Sequence, residues 1–145
     1  MAELLRLRDD EPVDHPAVTV DAFGEQSNAA AVRVEPGDDA RALIPHLAHI
    51  RLVEVNFPSF IDGRGYSTAR ILREAGYTGE LRAVGDVLVD QLAHMRRCGF
   101  DAFEPDQPFD AGEVAAALAR FPHVYQSAAD GAQPIWALRH LPANG

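Results

Sequence analysis

The residues best equipped for chemistry crowd into FPSFIDGRGYSTAR, residues 57–70. Two arginines (Arg64 and Arg70), two glycines (Gly63 and Gly65) and the Ser67 hydroxyl follow an apolar run, LVEVNF, that Pro58 terminates. A strand, a glycine-bearing loop and a helix N-terminus in succession can hold an anion. Glycine permits φ > 0 and close backbone approach, and first-turn amides point outward. Ser67 is expected to cap a helix over 67–75 that closes at Gly76. Arg64 just before that helix, and Arg70 in its first turn, oppose the helix dipole at about 0.3–1 kcal/mol each. A bound oxyanion taking paired hydrogen bonds from both would offset that cost. The structural alternative is that Asp62, with Glu74 or Glu80, neutralises the arginines in surface ion pairs. Arg64, Gly65, Ser67 and Arg70 are therefore the ligand-binding candidates. Asp62, Tyr66 and Asp86 are candidates for proton transfer or orientation, with no catalytic residue assigned. The segment has neither the GxGxxG nor the GxxxxGKS/T pattern of nucleotide loops.

The remaining reactive side chains carry weaker signals. Asp86 follows Gly85 and is expected to cap the next helix, with an acid or ion-pair role at the same sheet edge as the alternative. Asp90 lies one turn later, so the two carboxylates could share a cation or a proton. Arg96 and Arg97 suit a helix C-terminus. Cys98 in the same turn is expected to be a buried small apolar residue, because a helix C-terminus disfavours a thiolate. His46 and His49 are three apart on a predicted helix, but no third ligand accompanies them, so no metal site is assigned. His15, His94, His123 and His140 are scattered, and no nucleophile elbow is present.

The elements that must position these groups alternate. Residues 1–30 read as an arm, with short strands at Leu4–Leu7 and Ala17–Val20 and a loop over Gly24–Asn28. From residue 31 to 145 a core domain with a C-terminal tail is expected. Its strands fall at Ala31–Val34, Leu52–Phe57, Leu81–Val84, Phe100–Phe103 and His123–Ser127, with a last strand or packed tail at Ile135–Leu141. Helices are expected over Ala40–His49, disturbed at Pro45, over Asp86–Cys98 and over Ala111–Phe121. Leu88, Leu92 and Met95 form a stripe on the third of the four helices. A strand and a helix every 20–25 residues or so predicts an α/β domain around a mainly parallel sheet. Its layers are expected as a small three-layer sandwich, or alternatively as a half-barrel completed by dimerisation. Ligands would sit beyond the carboxyl ends of the strands, at Asn56-Phe57, Gly85-Asp86 and Glu104-Pro105.

Composition narrows the classes. The 145 residues are 47% apolar and 24% charged, enough for a core without metal or disulfide staples. Thirteen basic against 22 acidic residues give a net charge of −9. That argues against general nucleic-acid or anionic-membrane binding. The single cysteine excludes a disulfide framework and a four-cysteine iron–sulfur site. No run approaches the ~20 apolar residues of a membrane span, and the first dozen residues lack an export signal, so a cytoplasmic location is expected.

FPSFIDGRGYSTARILRE, followed by GELRAVGDVLVDQLAHMRRCGFDAF, resembles a bacterial family, number nine-three-four in the domain-of-unknown-function series. The resemblance covers residues 50–104 most closely, and the long F-P-x-F-x-D-G-R-G-Y-S string is specific. Members are labelled as oxidoreductases linked to sulfite reduction, from their position beside genes for sulfite reductase and the reductase of adenylylated sulfate. The resemblance thus implies a place in assimilatory sulfate and sulfite reduction, and no catalytic residues. A chain with one cysteine and no dinucleotide fingerprint cannot by itself carry the sirohaem and iron–sulfur chemistry of sulfite reduction. A flavin bound without a signature stays open. The expected function is an accessory role supporting sulfite reductase or another enzyme of sulfur assimilation. The alternative is a small oxyanion-binding enzyme or sensor that uses the DGRGYS loop.

Overall fold

The computed structural model describes residues 4–13, 16–25 and 28–119. The strands expected at 123–127 and 135–141 lie outside the described residues. Six strands form one sheet in the order β1-β6-β5-β4-β3-β2. They are β1 (Leu5–Arg6), β2 (Val18–Thr19), β3 (Ala31–Val34), β4 (Leu52–Phe57), β5 (Glu80–Gly85) and β6 (Ala102–Pro105). Strands β2 to β6 pair in parallel, and β1 joins β6 antiparallel. The α/β class and the mainly parallel sheet are as the sequence predicts. The residues read as an arm supply both edge strands. Leu5, Leu7 and Phe23 from this segment are buried in the core.

Strands β2 to β6 follow one another in chain order, so the sheet has no switch point of the doubly wound kind. Of the two layer arrangements the sequence leaves open, this is the pairing pattern of a barrel segment. Successive right-handed crossovers place the connections on one face. The register separates the two faces sharply. Val32, Val53, Leu81 and Phe103 belong to the row pattern that joins one apolar cluster with Leu43, Leu72 and Met95. The opposite face carries Arg33, Glu54 and Arg82, directly paired across β3, β4 and β5. Opposite charges facing one another across neighbouring strands stabilise a sheet by roughly 0.2–1 kcal/mol per pair.

The connections are α1 (Val20–Glu25), a 3-10 segment at Ala40–His46, α2 (Arg64–Glu74), α3 (Leu92–Cys98) and α4 (Ala111–Ala119). Helix α1 stands where the sequence predicts strand and loop. The segment at 40–46 is 3-10 rather than α, with Pro45 inside it and Asp39 as its cap, accepting from the Arg41 amide at 3.0 Å. Proline removes the i→i−4 donor on which an α-helix depends. The helix expected from Asp86 is shorter: a 3-10 turn at Val89–Gln91 precedes α3. Leu92 and Met95 are fully buried, whereas Leu88, outside the helix, is exposed. Among the described residues no helix is long and apolar enough to cross a membrane.

Candidate functional site

Helix α2 starts at Arg64, three residues before the serine expected to cap it. Gly63 holds the cap position at φ −86° and makes no side-chain cap bond. Asp62 acts from one residue earlier. Its Oδ1 accepts from the Arg64 amide at 3.1 Å and from Arg64 Nε at 3.0 Å, and its Oδ2 accepts from Nη2 at 2.7 Å. These bonds, side-chain first, draw the Asp62 carboxyl down to about 2. The surface ion pair weighed for the arginines is thus present at Arg64. Arg70 lies six residues on and faces elsewhere on the helix. Its Nη2 approaches Cys98 Sγ at 3.7 Å. The two guanidinium groups have different partners, and Ser67 is exposed within the helix.

Gly65 has a packing reason of its own. A Cβ there would come within 2.5 and 2.7 Å of the Phe57 ring and 3.0 Å of Val55 Cγ1. Helix α2 therefore rests on β4 at this point, and no larger residue fits without movement. The described glycines with positive φ are Gly76, Gly85 and Gly99, not Gly63 or Gly65.

The acid candidates are each held separately. Tyr66 packs against Phe57 at 5.5 Å and His94 at 4.7 Å between ring centroids. Burial, and then the nearby Cys98, raise its hydroxyl above the usual tyrosine range. Cys98 is buried as expected, with Sγ 4.0 Å from His94 Nε2. Asp86 is not a helix cap. Its Oδ2 accepts from the Phe60 amide at 2.9 Å, while its own amide donates to the Phe57 carbonyl at 2.8 Å. Gln91 Nε2 donates to the Phe60 carbonyl at 2.9 Å. Asp86 and Gln91 together clamp the loop after β4 to the loop after β5.

A concavity formed by described residues lies beside this clamp, on the polar face of the sheet at the carboxyl ends of β4 to β6. It is a cleft of about 430 Å³. Phe57, Pro58, Val84 and Gly85 form its apolar walls, and Glu54, Glu104 and Asp106 bring carboxylates, with Arg33 and Asn56 completing the lining. Gly85 is required here: its φ is +99°, and a Cβ would meet the Phe57 carbonyl at 2.5 Å and Asn56 Oδ1 at 2.8 Å. Asn56 Nδ2 donates to Glu35 Oε1 at 2.8 Å. That bond, and then Arg33, lower the Glu35 carboxyl.

The cations at the cleft are already committed. Arg33 Nε donates to Glu35 Oε2 at 3.0 Å, and Nη1 lies 3.6 Å from Glu54. Arg82 is buried, with Nε donating to Glu80 Oε2 at 2.9 Å. Its Nη2 is 2.7 Å from the same oxygen but not aligned for a hydrogen bond, so that contact is ionic. Its Nη1 stands 3.5 Å from Glu104 and 3.7 Å from Glu54. Burial nevertheless lifts the Glu54 carboxyl above its usual range, outweighing the attraction of Arg82 and Arg33. Three lining carboxylates face Arg33 and Arg82, which Glu35 and Glu80 also engage, so carboxylates remain in excess and the cleft is acceptor-rich. Such a site favours ammonium or guanidinium groups and opposes a bare oxyanion. Among the described residues no group of three or more His, Cys, Asp or Glu could hold a metal ion.

The strand ends that the sequence singles out bring Asn56, Phe57, Gly85 and Glu104 to the cleft lining, whereas Glu54 and Asp106 were not among the sequence candidates. The signal was the alternation within LVEVNF and AFEP: a charged residue in the middle of an apolar strand faces the other side of the sheet. With those geometries in hand, the chain matches one family model over residues 31–136, described as a bacterial protein of unknown function (DUF934). No curated protein and no solved structure shows a significant match.

Proposed function

Since the chain belongs to the bacterial DUF934 family, we propose that it is an accessory protein of assimilatory sulfate and sulfite reduction, supporting sulfite reductase rather than carrying its redox centre. The resemblance supplies the pathway. The observation that carries the accessory role is the cleft: Glu54, Glu104 and Asp106 gather at the carboxyl ends of neighbouring strands and outnumber Arg33 and Arg82, which pair with the two glutamates and also with Glu35 and Glu80. A site of that character receives a cationic group of another molecule more readily than sulfite or sulfate. The net charge of −9 favours encounter with a basic partner. The test is purification of the protein from cells at native levels, together with sulfite reductase assays in a deletion strain. Co-purification and reduced activity in the strain are expected. Clean absence of the enzyme, with normal activity in the strain, refutes the proposal.

A second reading keeps a small oxyanion-binding enzyme or sensor at the DGRGYS loop. In its favour, Gly63 at the cap position of α2 makes no side-chain cap bond of its own, so an anion that displaced Asp62 from the Arg64 amide would meet a helix N-terminus there. Against it, Arg64 is bound bidentately to Asp62. In this reading Asp62, Tyr66 and Asp86 serve as proton donors or orienting groups. Titration of the wild type and Arg64→Ala with sulfite, sulfate and a nucleotide sulfate decides it. Saturable binding lost in the variant supports it, and no binding at low millimolar concentration removes it.

A further inference from the structure

Beside the cleft stands an apolar knob that the fold holds out into solvent. Ile61 is 79% exposed, Phe60 44% and Leu88 39%. Large side chains left in water in this way mark contact surfaces when they cluster. Phe60 and Ile61 are neighbours in sequence, and hydrogen bonds through Asp86 and Gln91 bring Leu88 to them. Phe60 is pinned through both backbone groups, its amide to Asp86 and its carbonyl to Gln91. The Gln91 side chain also accepts from the Leu88 amide at 3.1 Å, which ties Leu88 to the same clamp. The Asp62 amide donates to the Ser59 carbonyl at 3.0 Å, closing the turn that carries Phe60 and Ile61. The knob is therefore pre-ordered, and little loop entropy remains to be lost on contact. It is also continuous with the cleft: Phe57 and Pro58, which lead into the knob, and Gly85, which precedes Asp86, all line the cleft wall.

We propose that the knob and the cleft are one docking surface, and that its occupant is a partner polypeptide presenting apolar side chains for Phe60, Ile61 and Leu88 beside an arginine or lysine for the carboxylates of Glu104 and Asp106. An apolar anchor flanked by a charged recess is the pattern of an interface centre with an electrostatic rim, in which the anchor supplies affinity and the charges supply orientation and rate. The proposal names the surface used by the accessory role above and rests on that reading for the partner's place in the cell.

Two probes test it. One is purified sulfite reductase from the same organism. The other is a ten-residue peptide alternating leucine and arginine, with a leucine–glutamate peptide as its counterpart. The variants are Ile61→Asp and the pair Glu104→Gln with Asp106→Asn, all on exposed or half-exposed side chains, with folding checked by circular dichroism. The arginine peptide is expected to bind the wild type and shift the amide resonances of Phe60, Ile61 and Leu88, while the glutamate peptide does not bind. Each variant is expected to weaken binding about tenfold, the loss typical of an interface anchor. Equal binding of both peptides, no binding of either, or binding that neither variant changes overturns the docking surface. Sulfite reductase that binds the wild type and both variants alike overturns the surface and leaves the accessory role standing. Peptide binding at the knob without any binding of sulfite reductase does the reverse.

Discussion

Replacing Gly65 by alanine separates a glycine kept for packing from one kept for ligand approach. The added methyl carbon would lie 2.5 and 2.7 Å from two atoms of the Phe57 ring and 3.0 Å from Val55. Phe57 is 1% exposed and packs edge-on to Phe100 at 5.8 Å, so the ring cannot swing aside into solvent. Overpacking of this kind costs about 1–3 kcal/mol. Alanine's better helix propensity returns about 0.5–1 kcal/mol, less so near a helix start. The net loss is about 1–2 kcal/mol, which for a chain of this length lowers Tm by roughly 2–8 °C. Urea unfolding of the wild type, Gly65→Ala, Phe57→Leu and the double variant measures it. In the Phe57→Leu background the alanine should cost nearly nothing, giving a coupling of about 1–2 kcal/mol. A Gly65→Ala protein as stable as the wild type, or one equally destabilised in both backgrounds, refutes the packing argument.

Arg82→Ala leaves Glu80 buried with Arg6 as its remaining partner. The expected loss is roughly 2–4 kcal/mol, somewhat below that of a buried carboxylate left with no partner, and urea unfolding reads it. Gly85→Ala combines a positive φ with a Cβ pressed on the Phe57 carbonyl and Asn56 Oδ1, so a loss of roughly 2–4 kcal/mol is expected by the same measurement. Asp62 should titrate near 2 by carboxylate NMR and return toward 3.8 in Arg64→Ala, because the hydrogen bonds from Arg64 hold it down. The folded value is depressed, so the pair's contribution is present above the unfolded value and is lost as pH falls through about 2. Being exposed, the pair responds to salt and moves Tm little, and a Tm drop in Arg64→Ala comparable to that of Arg82→Ala would contradict its surface role.

The alternation of strand and helix was legible from β3 onward because each of those strands is a short, largely apolar run that proline or glycine ends or closely follows. Phe57 before Pro58, Gly85 before Asp86 and Glu104 before Pro105 mark strand ends that the structure keeps to within a residue. Cys98 is buried as its type suggests. Helix starts were less legible. Ser67 and Asp86 have good capping chemistry, yet Gly63 caps α2 and Asp86 binds the Phe60 amide. Capping preference is worth about 1 kcal/mol, and the packing of Gly65 on Phe57 together with the loop clamp outweighs it.

Residue order alone determined the α/β class, the parallel pairing of the central strands and the end of the sheet where loops gather. These follow from local periodicity and from the crossover that parallel neighbours require. Only the tertiary structure decided which charged residues meet. Arg33, Glu54 and Arg82 are 21 and 28 positions apart along the chain, and they line up because three strands fall into one register. The same folding turned Arg64 toward Asp62 and Arg70 toward Cys98, and opened the recess beside Glu104 instead. Spacing within a segment reports which face a side chain takes; which other segment lies opposite depends on long-range pairing that the spacing does not contain.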